Sequence, residues 1–232
     1  MRMVNQRKTT FNEEKNMTSY NKKTRITASA IGVLLGLSGI LNHGLFEILQ
    51  GNISTNGFYI EAIGENHRYW LYGTEGAFTV IHNFLITGIV AVLVGLTILF
   101  WSVKYIHVKH GATVFLSLLI LLTLVGGGIG HIILFLPTWA FATRINKSLD
   151  WWKKRLSVRL RKNIYTIWIY SLPATLISWL IVMELGIFGY FPGEYNPDTI
   201  LNIVFIFLFL SVILACITFV CAIAGDIEDQ KS

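Results

Sequence analysis

The chain has 232 residues, 53% of them hydrophobic and only 14% charged, with a formal net charge of +6. A soluble domain carries closer to a quarter charged residues, and several runs here reach the roughly 18 to 20 apolar residues needed to cross a bilayer core. The composition therefore excludes an ordinary soluble domain, and the long unbroken runs argue against a transmembrane barrel, whose segments are short and alternating.

The positive residues flank the apolar runs, which is the positive-inside pattern and argues against nucleic acid as a partner. The expected architecture is all-α: a polytopic helical transmembrane bundle of about six membrane segments with one basic amphipathic interfacial helix. Residues 1–25, with Arg2, Arg7, Lys8, Lys15, Lys22, Lys23 and Arg25, read as a basic cytoplasmic tail. No apolar core of a cleavable signal precedes Ile26, so the first membrane segment, 26–49, reads as an uncleaved signal anchor. A single transmembrane domain then covers 26–224.

The first segment is mostly lipid-soluble, but Asn42, His43 and Glu47 occupy its outer third. A helix advances about 100° per residue, so His43 and Glu47 share a face. Ala28, Gly32, Gly36 and Gly39 continue that face, and small residues at such spacing let another helix approach closely. The loop that follows, up to Ala77, leans acidic through Glu61, Glu65 and Glu75 and belongs outside. Its rings, Phe58, Tyr59, Tyr69, Trp70 and Tyr72, suggest either a lid at headgroup level or an interfacial aromatic belt.

The second segment, 78–103, carries a matching row of Asn83, Thr87, Ala91 and Gly95, with His82 about 100° off it. Basic residues on both sides of 112–143 place both of its ends inside, yet about 32 residues are short for two full crossings. Gly126, Gly127, Gly128 and Gly130 supply a break. Two short tilted helices, 112–128 and 130–144, are favoured over one helix plus a half-crossing broken near Pro137; both put His131 near the outer face.

Residues 148–162 are the most basic stretch, with Leu149, Trp152, Leu156 and Leu160 at helical spacing. This pattern predicts an amphipathic helix on the anionic inner leaflet, its lipid-surface contacts being Trp151, Trp152, Lys153, Lys154, Arg155 and Arg159. A coupling helix for a cytoplasmic partner is the alternative. Segments 164–185, kinked at Pro173, and 200–224 complete the bundle, and 225–232 reads as an acidic cytoplasmic tail. Both termini are thus expected in the cytoplasm and the protein in the cell membrane. Cys216 and Cys221, five apart, diverge by about 140° on a helix and read as small hydrophobes.

Several strings carry a resemblance: Asn42-His43-Gly44 to Glu47-Ile48-Leu49-Gln50-Gly51-Asn52, Asn83-Phe84-Leu85 with Thr87-Gly88, Gly126-Gly127-Gly128, and Thr143-Arg144-Ile145-Asn146 with Trp151-Trp152. They resemble a family of small prokaryotic multi-pass membrane proteins with no established function, over most of the chain from 26 onward. The resemblance implies architecture and no mechanism. That family commonly has proline where this chain has His82 and His131, so these histidines are departures from its pattern.

Ionisable residues inside a membrane cost about 2.5 to 3.5 kcal/mol each on insertion scales, so they default to a functional hypothesis. The expected ligand or proton site is His43, Glu47, Asn83 and Asn42, with Asn83 as the nearest partner of the His43–Glu47 pair. The plainer reading is that the pair hydrogen-bonds across to Asn83 and fastens two helices, a contribution of roughly 0.6 to 2 kcal/mol. A metal site needs three or four converging ligands, and only His43 and Glu47 have a geometric reason to converge, so no metal and no cofactor is assigned. No motif for a nucleophile or a metal-bound water points to an enzyme. The function expected is therefore a transporter- or channel-like component with a site for an ion, proton or small solute. The alternative is a non-catalytic membrane protein that binds a partner chain, a second copy or lipid, its buried polar residues being structural.

Overall fold

A computed structural model of the chain describes residues 21–230. The basic tail expected for 1–25 lies outside the described residues up to position 20, as do the last two residues of the acidic tail. The described chain is mostly helical. Helix α1 (Lys22–Gln50) is followed by a short antiparallel hairpin, β1 (Tyr59–Glu61) and β2 (Gly76–Phe78). Then come α2 (Phe84–Lys104), α3 (Gly111–Leu124), α4 (Ile132–Ala142), α5 (Asp150–Arg155), α6 (Val158–Ile164), α7 (Trp168–Phe188) and α8 (Pro197–Asp229).

Four helical stretches are long and apolar enough to cross a membrane: Lys22–Gln50, Phe84–Lys104, Val158–Phe188 and Pro197–Asp229. Their packing is inside-out relative to a soluble bundle. On α2 the buried face is Thr87, Gly88, Ala91, Val94, Gly95, Ile98 and Ser102. Its exposed face is Ile86, Ile89, Leu93, Leu96 and Phe100, each more than 40% exposed. A contiguous apolar stripe of that size faces lipid or another protein, not water. Helix α8 repeats the arrangement with Phe205, Ile206, Phe209 and Ile213 exposed.

The small residues divide among several neighbours. Gly36 faces the Gly95 carbonyl of α2, whereas Gly39 packs on Leu122 of α3 and Gly32 on Ser102 and Phe115. A close backbone approach between α1 and α2 involves two glycines outside the expected rows. A Cβ on Gly88 would stand 2.6 Å from the Gly44 carbonyl oxygen and 2.7 Å from the Ile48 nitrogen, which only hydrogen can tolerate.

Residues 112–143 form two short helices joined at the glycines. At about 1.5 Å per residue, α3 and α4 extend only about 21 and 16 Å, short of a 30 Å hydrocarbon core. Gly126 and Gly128 adopt φ of +97° and +91°, which is the turn's reason for glycine. The second helix begins at Phe84 and not near 78, because Gly76–Phe78 is drawn into strand β2 and Asn83 caps α2 by accepting from the Ile86 amide. The hairpin is sewn to the glycine turn: Gly126 N–H donates to the Phe78 carbonyl (2.8 Å) and Ile129 N–H to that of Gly76 (3.1 Å).

At the opposite end of the bundle two expectations change. The stretch 148–162 is two short helices, not one, because Leu156 turns extended and the Ser157 hydroxyl caps the start of α6. Leu149 is buried with Ile223 and Ile227 of α8, and Trp152 packs beside them, so part of the apolar stripe is spent on protein. Leu160 stays exposed, as do Trp151, Lys153, Lys154, Arg155 and Arg159. Arg161 is buried, donating to Glu228 and to the Lys153 and Leu156 carbonyls that end α5.

The acidic segment from Gly225 is also not a tail as far as it is described, since α8 runs on to Asp229. Asp226 is buried and caps α1. It accepts from the Lys23 amide (2.7 Å), the Thr24 amide (2.9 Å) and the Thr24 hydroxyl (2.7 Å). These are charge-assisted bonds to amides that α1 leaves unpaired. Asp226→Ala should cost about 3 kcal/mol against thermal or denaturant unfolding in detergent, with Asp226→Asn costing less because one acceptor oxygen survives. Equal losses for the two variants would show that the acceptor role is not what matters.

Candidate functional site

Near the hairpin end α1 leaves α-helical geometry. Gly39–Gly44 is π-helical, each such turn holding an extra residue. Relative to an uninterrupted helix, the residues beyond Gly44 are turned by about one residue's 100°. The row Ala28–Gly32–Gly36–Gly39 therefore does not run straight into His43 and Glu47, and the two side chains end in different surroundings. All three polar residues of this region are buried: Asn42 and His43 at 1% exposure, Glu47 at 0%.

His43 Nε2 lies 2.7 Å from Glu75 Oε2. Asn42 Nδ2 donates to the other Glu75 oxygen at 3.0 Å, and its second contact is the Met183 carbonyl at 3.4 Å. His131, buried at the start of α4, stands beside His43 with ring centroids 5.3 Å apart, and beside Trp179 of α7 at 5.9 Å. The site thus draws on four parts of the fold: α1, the residue just before β2, the glycine turn and α7. Burial alone raises the Glu75 carboxyl, but the imidazole of His43 with the Asn42 amide and His131 outweighs it and holds the group below the ordinary carboxylate range.

Glu47 points elsewhere. A Cβ on Gly126 would strike both of its carboxyl oxygens, and one on Gly88 would come within 2.9 Å of its Cβ. Glu47 fills the seam between α1, α2 and the glycine turn, and among the described residues neither oxygen has a hydrogen-bonding partner. Asn83 is not part of the cluster: its side chain is spent on capping α2 and on Asn52 Oδ1 at 2.7 Å. The nearest partner of His43 is Glu75. His82 is exposed, and among the described residues no group of three His, Cys, Asp or Glu is arranged to hold a metal ion.

Glu75, Asn42 and His131 form one end of a cavity of about 250 Å³. Val182 and Met183 of α7 and Leu201, Val204 and Leu208 of α8 line it as well, together with Ser38 of α1 and Thr74. Trp70 and Tyr72 roof it. The roof is fastened: Trp70 Nε1 donates to the Gly186 carbonyl (3.1 Å) and Tyr72 to Asp198 at the start of α8 (2.6 Å).

Glu75, His131, Trp70, Tyr72 and Trp179 are the site residues that sequence spacing did not assign. In the sequence Glu75 is one more outer charge, and the glycine break places His131 near the outer face without joining it to His43. The available signal was the loop itself, in which five rings and three carboxylates fall within 18 residues, from Phe58 to Glu75. Comparison with known protein families, characterised proteins and solved structures found no match.

Proposed function

We propose that the chain is a multi-pass membrane protein whose outer layer holds a proton-responsive site for a small solute, as in a transporter- or channel-like component. The observation that carries this reading is the His43–Glu75 pair, 2.7 Å apart, whose Glu75 lines a cavity between helices. A fastening pair would gain nothing from a cavity beside it, whereas a site needs one. The lipid-surface role of Trp151, Lys153, Lys154, Arg155 and Arg159 is supported by their common exposure at the opposite end of the bundle.

The test is proton movement in liposomes holding the purified chain and an entrapped pH dye. Under an imposed pH gradient the wild type should dissipate the gradient faster than empty liposomes, and Glu75→Gln should lose most of that excess. Rates equal to those of empty liposomes would defeat the transport reading.

Orientation follows from the same proposal, with both termini in the cytoplasm, about six membrane segments and the hairpin outside. In a background with Cys216 and Cys221 replaced by serine, Asn196→Cys should react with an impermeant maleimide from outside and Asp150→Cys from inside only. Labelling of residue 150 from outside would reverse the assignment.

A further inference from the structure

The chemistry of the cavity narrows what can occupy it. Among the described residues Glu75 is its only carboxylate and no Lys or Arg lines it, and the Glu75 side chain is 29% exposed. A carboxylate offers about four acceptor positions, of which Asn42 and His43 take two. Three aromatic side chains line it, Trp70 and Tyr72, held edge to face with centroids 5.7 Å apart, and Trp179. Aromatic faces around one carboxylate attract a cation, and weakly hydrated organic cations most of all. The rest of the lining is mostly apolar, with Val182, Met183, Leu201, Val204 and Leu208 offering contacts to an apolar body and Ser38 and Thr74 adding two neutral hydroxyls. At about 250 Å³ the space lies below the range that takes drug-sized ligands.

We propose that this cavity binds a small organic cation with an apolar body, in exchange for the proton shared by His43 and Glu75. The assignment rests on the site reading above. Without ligand, the Glu75 charge is balanced by a proton on His43 Nε2. When the cation enters, it supplies that balancing charge, and the His43 proton leaves to water. Two positive charges beside one carboxylate in a buried setting would repel each other.

The groups that could compete are few. From α1 these are Asn42, which is neutral, and Glu47, which faces Gly126; from the start of α4 there is His131. Helix α7 contributes Trp179 and no charge to the lining. Helix α8 contributes apolar side chains, its Asp198 being bonded to Tyr72. Neither α2 nor α3 adds a charged residue to the lining.

The test uses the full chain in detergent micelles, with benzyltrimethylammonium as the cation and N-benzylacetamide as a neutral probe of the same heavy-atom count. Calorimetry should show the cation binding at least tenfold more tightly than the neutral probe. An indicator in weak buffer should report about one proton released per cation bound. Affinity should rise roughly tenfold per pH unit on the acid side, as one-for-one exchange requires. Glu75→Gln should lose at least tenfold in cation affinity, its retained binding of the neutral probe showing that the cavity survives. His43→Gln should keep cation binding and lose its pH dependence. Equal affinity for the two probes, binding without proton release, or unchanged binding by Glu75→Gln would each overturn the assignment. Cation binding with proton release but no flux in liposomes would keep the assignment and remove the transport reading. Flux without cation binding would do the reverse.

Discussion

Gly128→Ala should be among the most damaging single-methyl changes in the chain. Its φ of +91° is a conformation that alanine rarely adopts, at a cost of about 1 to 3 kcal/mol. The added Cβ would also strike the imidazole of His43 and stand 2.9 Å from His131 Nδ1, adding an overpacking term of about 1 to 3 kcal/mol. The combined expectation is about 3 to 4 kcal/mol of lost stability in detergent, with the geometry of His43 disturbed in whatever remains folded. Gly130→Ala is the internal control, since a Cβ there meets nothing within 4 Å and no positive φ is involved. It should change stability by less than about 0.5 kcal/mol, as open positions do. Similar losses at both positions would mean that the turn tolerates neither and that contact with His43 is not the cause.

A double-mutant cycle on His43 and Glu75 should return a coupling energy of about 1.5 to 3 kcal/mol, the range for contacting charged groups that are largely buried. Each single alanine change leaves the other group buried without its partner, so the double variant should lose less than the sum. The same cycle on His43 and Glu47 should give a smaller coupling, because Glu47 faces Gly126 and not the imidazole. The pH dependence has a definite sign. Glu75 is held below its ordinary value of 4.5, so the stabilisation it provides is complete above that value and drains away as pH falls through the lowered one. The stability gap between wild type and Glu75→Gln should therefore be flat from neutral pH down to about 4.5 and should shrink below it. A gap that widened on acidification would contradict the pairing.

Much of the helical frame is legible from residue order, and the reason is local. An apolar run long enough to span a bilayer is visible as a run, and a glycine cluster between two basic loops is visible as a reversal. The site is less legible because its members meet only through tertiary structure. Glu75 arrives from a loop whose path depends on β2 pairing with the residues before it and bonding to the glycine turn. No periodicity links position 75 to position 43. The π-helical turn at Gly39–Gly44 is invisible for a different reason: a single added residue per turn leaves composition and hydropathy untouched while it re-aims every side chain beyond it. Asn83 shows the opposite error. Its place at the head of a small-residue row is real, but the helix begins one residue later, and a side chain at that position is claimed by the cap.

The bonds from Asp226 to Lys23 and Thr24 join positions 203 and 202 residues apart. On the ribosome, α1 is made and inserted long before its cap exists, and its first amides must wait on water or lipid headgroups until α8 has been translated to its last turn. A message cut short after Gly225 would still encode all four long apolar helices, nearly complete, and would pass any check based on hydropathy. It would nevertheless leave the bundle open at that end, with the start of α1 free to fray. Closure of that end thus depends in part on whether the Asp226 carboxylate has found the amides of Lys23 and Thr24.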